Sequence, residues 1–152
     1  MWSATIVSDS SCLILLTKIG ELDILKNLYK EIIITSIIAG EYKLSLPPWI
    51  NVIDPKNVEY QNELLNTVDI GEASAIALAV EMKNCELILD DRQARKLATK
   101  LGLTFTGTLG VLIEAKDAGL IPALKPIFDK IELTNFHYSK ELLLETLRSV
   151  GE

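Results

Sequence analysis

Short β-branched and aliphatic runs alternate with stretches of helical spacing along almost the whole chain, and this alternation restricts the fold more than any other feature. Runs of strand length separated by helices bury both faces of a sheet only if the strands lie parallel and the helices cross over between them. Residues 5–7, 31–35, 86–89 and 104–106 read as strands, and 49–53, after the Pro47-Pro48 break, as a short edge strand. Helical spacing through Leu13, Leu16 and Ile19 stops at Gly20. Further helices are expected over 22–29, around Ile37, Ile38 and Glu41, and over 58–66, 69–82, 92–101 and 122–131. Another follows Gly107-Thr108-Leu109-Gly110 to about Gly119, and Ser139 caps the last. The expected fold is therefore α/β, with a parallel sheet covered by helices.

One domain, 1–152, accounts for this length. Its 49% hydrophobic and 24% charged residues are those of a globular chain. A net charge of −6 argues against wrapping nucleic acid by bulk electrostatics. It does not argue against a site where bound divalent cations set the local charge. Cys12 and Cys85 lack metal-ligand spacing and read as thiols in a reducing compartment. The start, Met1-Trp2-Ser3-Ala4-Thr5, lacks the basic segment and apolar core of a signal peptide. No apolar run reaches the roughly 18 residues of a membrane span. The expectation is a cytoplasmic protein with no membrane partner.

In open α/β sheets, ligands sit beyond the carboxyl ends of the strands, and that rule selects the polar residues worth weighing. Asp9 ends the first strand and Asp90-Asp91 the fourth, while Glu41 and Glu72 lie on helices that start at the same edge. Each acid has an ordinary alternative. Asp9 and Asp91 suit N-caps, Glu72 suits a capping box with Asp69, and Glu41 suits a solvated helix face. Together, however, acids from four distant segments at one edge repel one another unless a hard cation such as Mg²⁺ sits among them. Other chemistry has little to work with. His137 is the single histidine, and Gly107-Thr108-Leu109-Gly110 is too short for a phosphate loop and lacks its lysine. Arg92, Arg95 and Lys96 fall near one side of the helix after Asp91, as a solvated face or as phosphate contacts.

These segments resemble a known family. Val7-Ser8-Asp9-Ser10-Ser11 with Leu13-Ile14-Leu15-Leu16, then Ile38-Ala39-Gly40-Glu41, Asp69-Ile70-Gly71-Glu72-Ala73-Ser74-Ala75-Ile76 and Leu87-Ile88-Leu89-Asp90-Asp91-Arg92-Gln93-Ala94-Arg95, and finally Gly107-Thr108-Leu109-Gly110, are similar in order and spacing to PIN domains, in particular to the bacterial and archaeal VapC-type toxins. The resemblance implies a central parallel β-sheet flanked by α-helices in three layers. It also implies an Mg²⁺ or Mn²⁺ site and endonucleolytic cleavage of RNA. Carried over by position, Asp9, Glu41, Glu72 and one of Asp90 or Asp91 are the acids, with Asp9, Glu72, Asp91 and Asp90 the candidate metal ligands. Relatives usually carry aspartate where this chain has Glu72. Counting from Leu89, often threonine in relatives, favours Asp91, and Asp90 at the strand end is its rival. Ser10, Arg92, Arg95 and Thr108 are the candidate substrate contacts. The competing reading is a catalytically silent module of the same fold acting through a protein partner.

Mean hydropathy is +0.27, high for a small soluble monomer, and Leu142, Leu143, Leu144 and Leu147 exceed what one buried helix face requires. A two-fold homodimer is the expected cover. The resemblance adds a small antitoxin-like protein as a second partner.

Overall fold

The computed structural model describes residues 5–152; the reading of the chain start at residues 1–4 lies outside them. The strands are β1 (Thr5–Ser8), β2 (Glu31–Ile34), β3 (Ile50–Val52), β4 (Cys85–Ile88) and β5 (Phe105–Thr106). All pair in parallel, in the order β3-β2-β1-β4-β5. The chain thus winds outward from β1 to one edge, returns, and continues on the other side. Val7 is in register with Ile33 on one side and Leu87 on the other. Strands covered on both faces carry unbroken apolar runs rather than alternation. Accordingly Ile6, Val7, Ile32, Ile33 and Ile34 are all buried.

Among the described residues the helices are α1 (Ser10–Lys18), α2 (Asp23–Leu28), α3 (Ser36–Tyr42), α4 (Val58–Leu64), α5 (Ile70–Glu81), α6 (Arg92–Lys100), α7 (Thr108–Asp117), α8 (Lys125–Glu132) and α9 (Lys140–Ser149). They make this a three-layer α/β fold with a central parallel sheet. Side-chain caps set many of the helix starts. Asp9, Thr35, Asn57, Asp69, Asp91 and Ser139 each accept an N–H from the residue three places on. Each such cap is worth about 1 kcal/mol. Gly102, just past α6, takes the left-handed φ of +73° at which a side chain is strained.

Helix α5 lies against β1 and β4, with α3 and α4 beside it. Its Ala73, Ala75, Ala77 and Ala79 are buried, which lets the helix approach the sheet closely. A buried hydrogen bond of 2.6 Å joins Thr35 Oγ1, the cap of α3, to Ser74 Oγ on α5. The two helices that carry Glu41 and Glu72 are thereby tied together.

The helix expected from residue 122 instead begins at Lys125, with Pro126 in its first turn. Proline has no N–H to lose there and its fixed φ suits the first turn. The open amide N–H groups of Leu124 and Lys125 donate to the Glu152 carboxylate at 2.8 and 3.0 Å. In the last helix Leu143 and Leu147 are buried, while Leu142 and Leu144 are exposed.

Candidate active site

In this strand order the connection reverses direction between β1 and β4, and a crevice opens at the carboxyl ends of two such strands. Asp9 sits there. Its N–H donates to Ile88 O at 3.0 Å. One carboxylate oxygen, Oδ1, accepts from the Cys12 amide in the first turn of α1 at 3.0 Å, and the other, Oδ2, accepts from the Asp90 amide at 2.9 Å. Asp9 therefore caps a helix and clamps two strand ends at once. Burial, with the Asp90 charge next in weight, pushes its carboxyl up to about 7; the two amide donors and Arg95 pull the other way and lose.

The acids on the helices reach the same place. Glu72 is in the first turn of α5, and its amide donates to the Asp69 cap at 2.9 Å. The Glu72 side chain lines the crevice, where its Oε2 is buried without a hydrogen-bond partner. Burial first, then the neighbouring Asp69 and Asp91, push it up to about 8. Glu41, in the last turn of α3, has its carboxylate against Gly71. A Cβ at Gly71 would stand 2.6 and 2.7 Å from the two Glu41 oxygens, so the absence of a side chain there is what seats Glu41 beside Glu72. Asp91 caps α6 through Oδ2, which accepts from the Ala94 amide at 3.0 Å.

Together Asp9, Glu41, Asp69, Glu72 and Asp91, with Ser10, Ser11 and Gly71, line a cavity of about 60 Å³. That is room for a few water-sized groups. Five carboxylates line it and no lysine or arginine does. An uncompensated buried carboxylate oxygen is costly, and a hard divalent cation, which takes oxygen ligands, answers that cost. The donor set therefore fits such a cation. Among the described residues, no group of three or more His, Cys, Asp or Glu side chains converges as a ready-made metal cage.

The other candidates separate clearly. Asp90 faces away from this cavity. Its Oδ1 accepts from the Thr108 amide at 2.8 Å and its Oδ2 from the Thr108 hydroxyl at 2.6 Å, which anchors the start of α7. Successive side chains on an extended segment point to opposite sides, so Asp90 and Asp91 serve different neighbourhoods. Thr108 is buried in that contact. Ser10 lines the acidic cavity. Arg92 is exposed at the start of α6. Arg95 donates from Nε to Leu89 O at 2.7 Å and lies over the Phe105 ring, 5.5 Å from its centroid, outside the acidic lining. Asp69 enters the cavity although sequence reasoning gave it only a capping role. Its place as the cap of the helix that carries Glu72 was the available signal.

A family model described as a PIN domain matches residues 5–152, nearly the whole chain. No curated protein matches it.

Proposed function

The chain belongs to the PIN domain family, a family of nucleases, and from that premise we propose that it is an endoribonuclease dependent on Mg²⁺ or Mn²⁺. The observation that carries this reading is the buried Glu72 Oε2 without a partner, in a cavity walled by five carboxylates. Asp9, Glu41, Glu72 and Asp91 would hold the metal, with Asp69 beside them in the lining. When bound, such a cation supplies Lewis acidity toward a phosphate oxygen and lowers the pKa of a water.

The chain's own residues do the rest. Asp9, fixed by two amide donors, keeps its carboxylate orientation without the metal. One carboxylate of the cavity would accept the proton that an attacking water releases. Ser10, in the cavity lining, and Arg92, exposed and next in the chain to Asp91, would meet the substrate's phosphates. In-line attack at phosphorus needs no covalent nucleophile from the protein.

Cleavage of a single-stranded RNA is the direct test. We expect it to stop in EDTA and to return with Mg²⁺ or Mn²⁺. Full cleavage in EDTA sinks the metal mechanism, and no cleavage with either ion leaves the silent binding module.

We also propose that the chain works as a homodimer and as the toxin of a toxin–antitoxin pair. The exposed Leu142 and Leu144 on α9, with the almost fully exposed Leu133 nearby in sequence, support an apolar surface that needs cover. Light scattering at micromolar concentration should give twice the chain mass of 16.8 kDa. A monomer mass that does not rise with concentration refutes the dimer.

A further inference from the structure

A second, larger cleft of about 640 Å³ adjoins the acidic cavity. Phe105 of β5, Arg95 of α6, and His137 and Tyr138 from the segment before α9 line it, together with Asp90 and Gly107. Its volume is that of a small-ligand site. The Arg95 guanidinium is held by an edge and a face: Nε donates to Leu89 O, and the group lies over the Phe105 ring. A Cβ at Gly107 would overlap Arg95 Nη2, so glycine there makes the seat for the guanidinium. Both carboxylate oxygens of Asp90 accept from Thr108, so in this cleft Asp90 is the fixed anion and Arg95 the cation. Phe105, Tyr138 and Arg95 are all half-buried and all line the cleft, so part of each stays open to it.

Aromatic rings and guanidinium planes with one open face are the surfaces on which unpaired RNA bases stack. The two clefts draw on consecutive residues of one segment. Asp90 lines the aromatic cleft and the next residue, Asp91, lines the acidic cavity, with adjacent Cα atoms about 3.8 Å apart. We propose that this cleft receives one unpaired nucleobase of the RNA strand whose phosphate lies at the acidic cavity. The cleft then decides which nucleotide stands beside the cut. The proposal rests on the endoribonuclease reading for the identity of the strand, and on the cleft's own geometry for the base.

The test is the ¹⁵N amide spectrum of the protein in EDTA, titrated with each of the four nucleoside 5′-monophosphates and, separately, with inorganic phosphate. At least one nucleotide should shift the amides of Phe105, Gly107, His137 and Tyr138 saturably at millimolar concentration, and phosphate should not. Tyr138→Leu and Phe105→Leu, whichever keeps a folded spectrum, should weaken that binding about 5- to 150-fold, the range for one lost stacking partner. Absence of shifts at these amides with all four nucleotides overturns the proposal. So do equal shifts from phosphate alone, which would mark an anion site. No metal or cleavage enters this measurement. A negative result therefore leaves metal-dependent cleavage standing, and failure of cleavage leaves a positive result standing.

Discussion

Glu72→Gln is expected to abolish cleavage and, in the same sample, to leave the metal-free protein as stable as the parent or more so. The two halves have one cause. The Glu72 carboxylate is held in a cavity with four other acids, and its Oε2 has no hydrogen-bond partner. Without a cation, ionising it is unfavourable; with one, it is a ligand. Glutamine keeps the shape, removes the charge and removes the ligand. The loss in rate should exceed the roughly 10- to 100-fold that follows loss of an outer-shell group. Asp91→Asn should behave alike, because the amide oxygen can keep the Ala94 cap bond. Asp90→Ala should differ in kind. It strips two hydrogen bonds from buried Thr108, and charged acceptors of this sort are worth on the order of 2 kcal/mol each. Its signature is a lower thermal midpoint, with or without metal. Asp9 is a poorer probe, since an asparagine there must turn an NH₂ toward the amide of either Cys12 or Asp90. Rates with Mn²⁺ and melting curves in EDTA decide the matter. A Glu72→Gln protein that cuts at the parental rate, or that melts well below the parent in EDTA, removes Glu72 from the site.

The metal-free protein should lose stability as pH rises from 5 to 8, the reverse of what paired carboxylates give. Asp9 is raised from 3.8 to about 7 and Glu72 from 4.5 to about 8. With folded-state values above the unfolded ones, the folded protein holds protons that the unfolded chain has released. Stability from these groups is then greatest below the unfolded values and falls until pH passes the folded ones. Glu72 is partly open to solvent, and screening there reduces its share. A drop on the order of 5 °C in melting midpoint between pH 5 and pH 8 is expected, at about 2–4 °C per kcal/mol for a chain of this size. Adding Mn²⁺ at pH 8 should recover it by mass action on the folded state. Glu72→Gln should flatten the slope. A midpoint in EDTA that climbs steadily from pH 5 to pH 8 would mean that the acids are satisfied without a cation.

Much of this was open to local reading. The alternation of strand and helix, the caps at Asp9, Asp69, Asp91 and Ser139, and the stop at Gly102 all follow from short-range periodicity and from side chains meeting amides three residues away. Neither depends on what packs beyond. The parallel order then carries Asp9 and the Asp90-Asp91 pair to one edge by topology alone. The start of α8 is not legible locally, because Pro122 suits a first turn as well as Pro126 does. Only the distant Glu152 carboxylate, meeting the amides of Leu124 and Lys125, marks the true beginning.

What the tertiary structure decided was which atom of each candidate faces which neighbour. In the sequence Asp90 and Asp91 are adjacent and chemically identical. In the fold, one anchors Thr108 and the other lines the acidic cavity, because an extended backbone sends them to opposite sides. Arg95 shares a helix side with Arg92 by spacing, yet its guanidinium is drawn to Leu89 O and the Phe105 ring. Asp69 joins the acids, and Glu41 reaches them across Gly71, through a contact between residues 30 apart in the chain that no local pattern encodes. The sequence by itself determined the elements, their caps and the edge to which the acids come, since those rest on interactions within a few residues. The partition of those acids between a cation site and the scaffold required the packing of α3, α5 and α6 around two strand ends, where burial and long-range hydrogen bonds set both direction and charge.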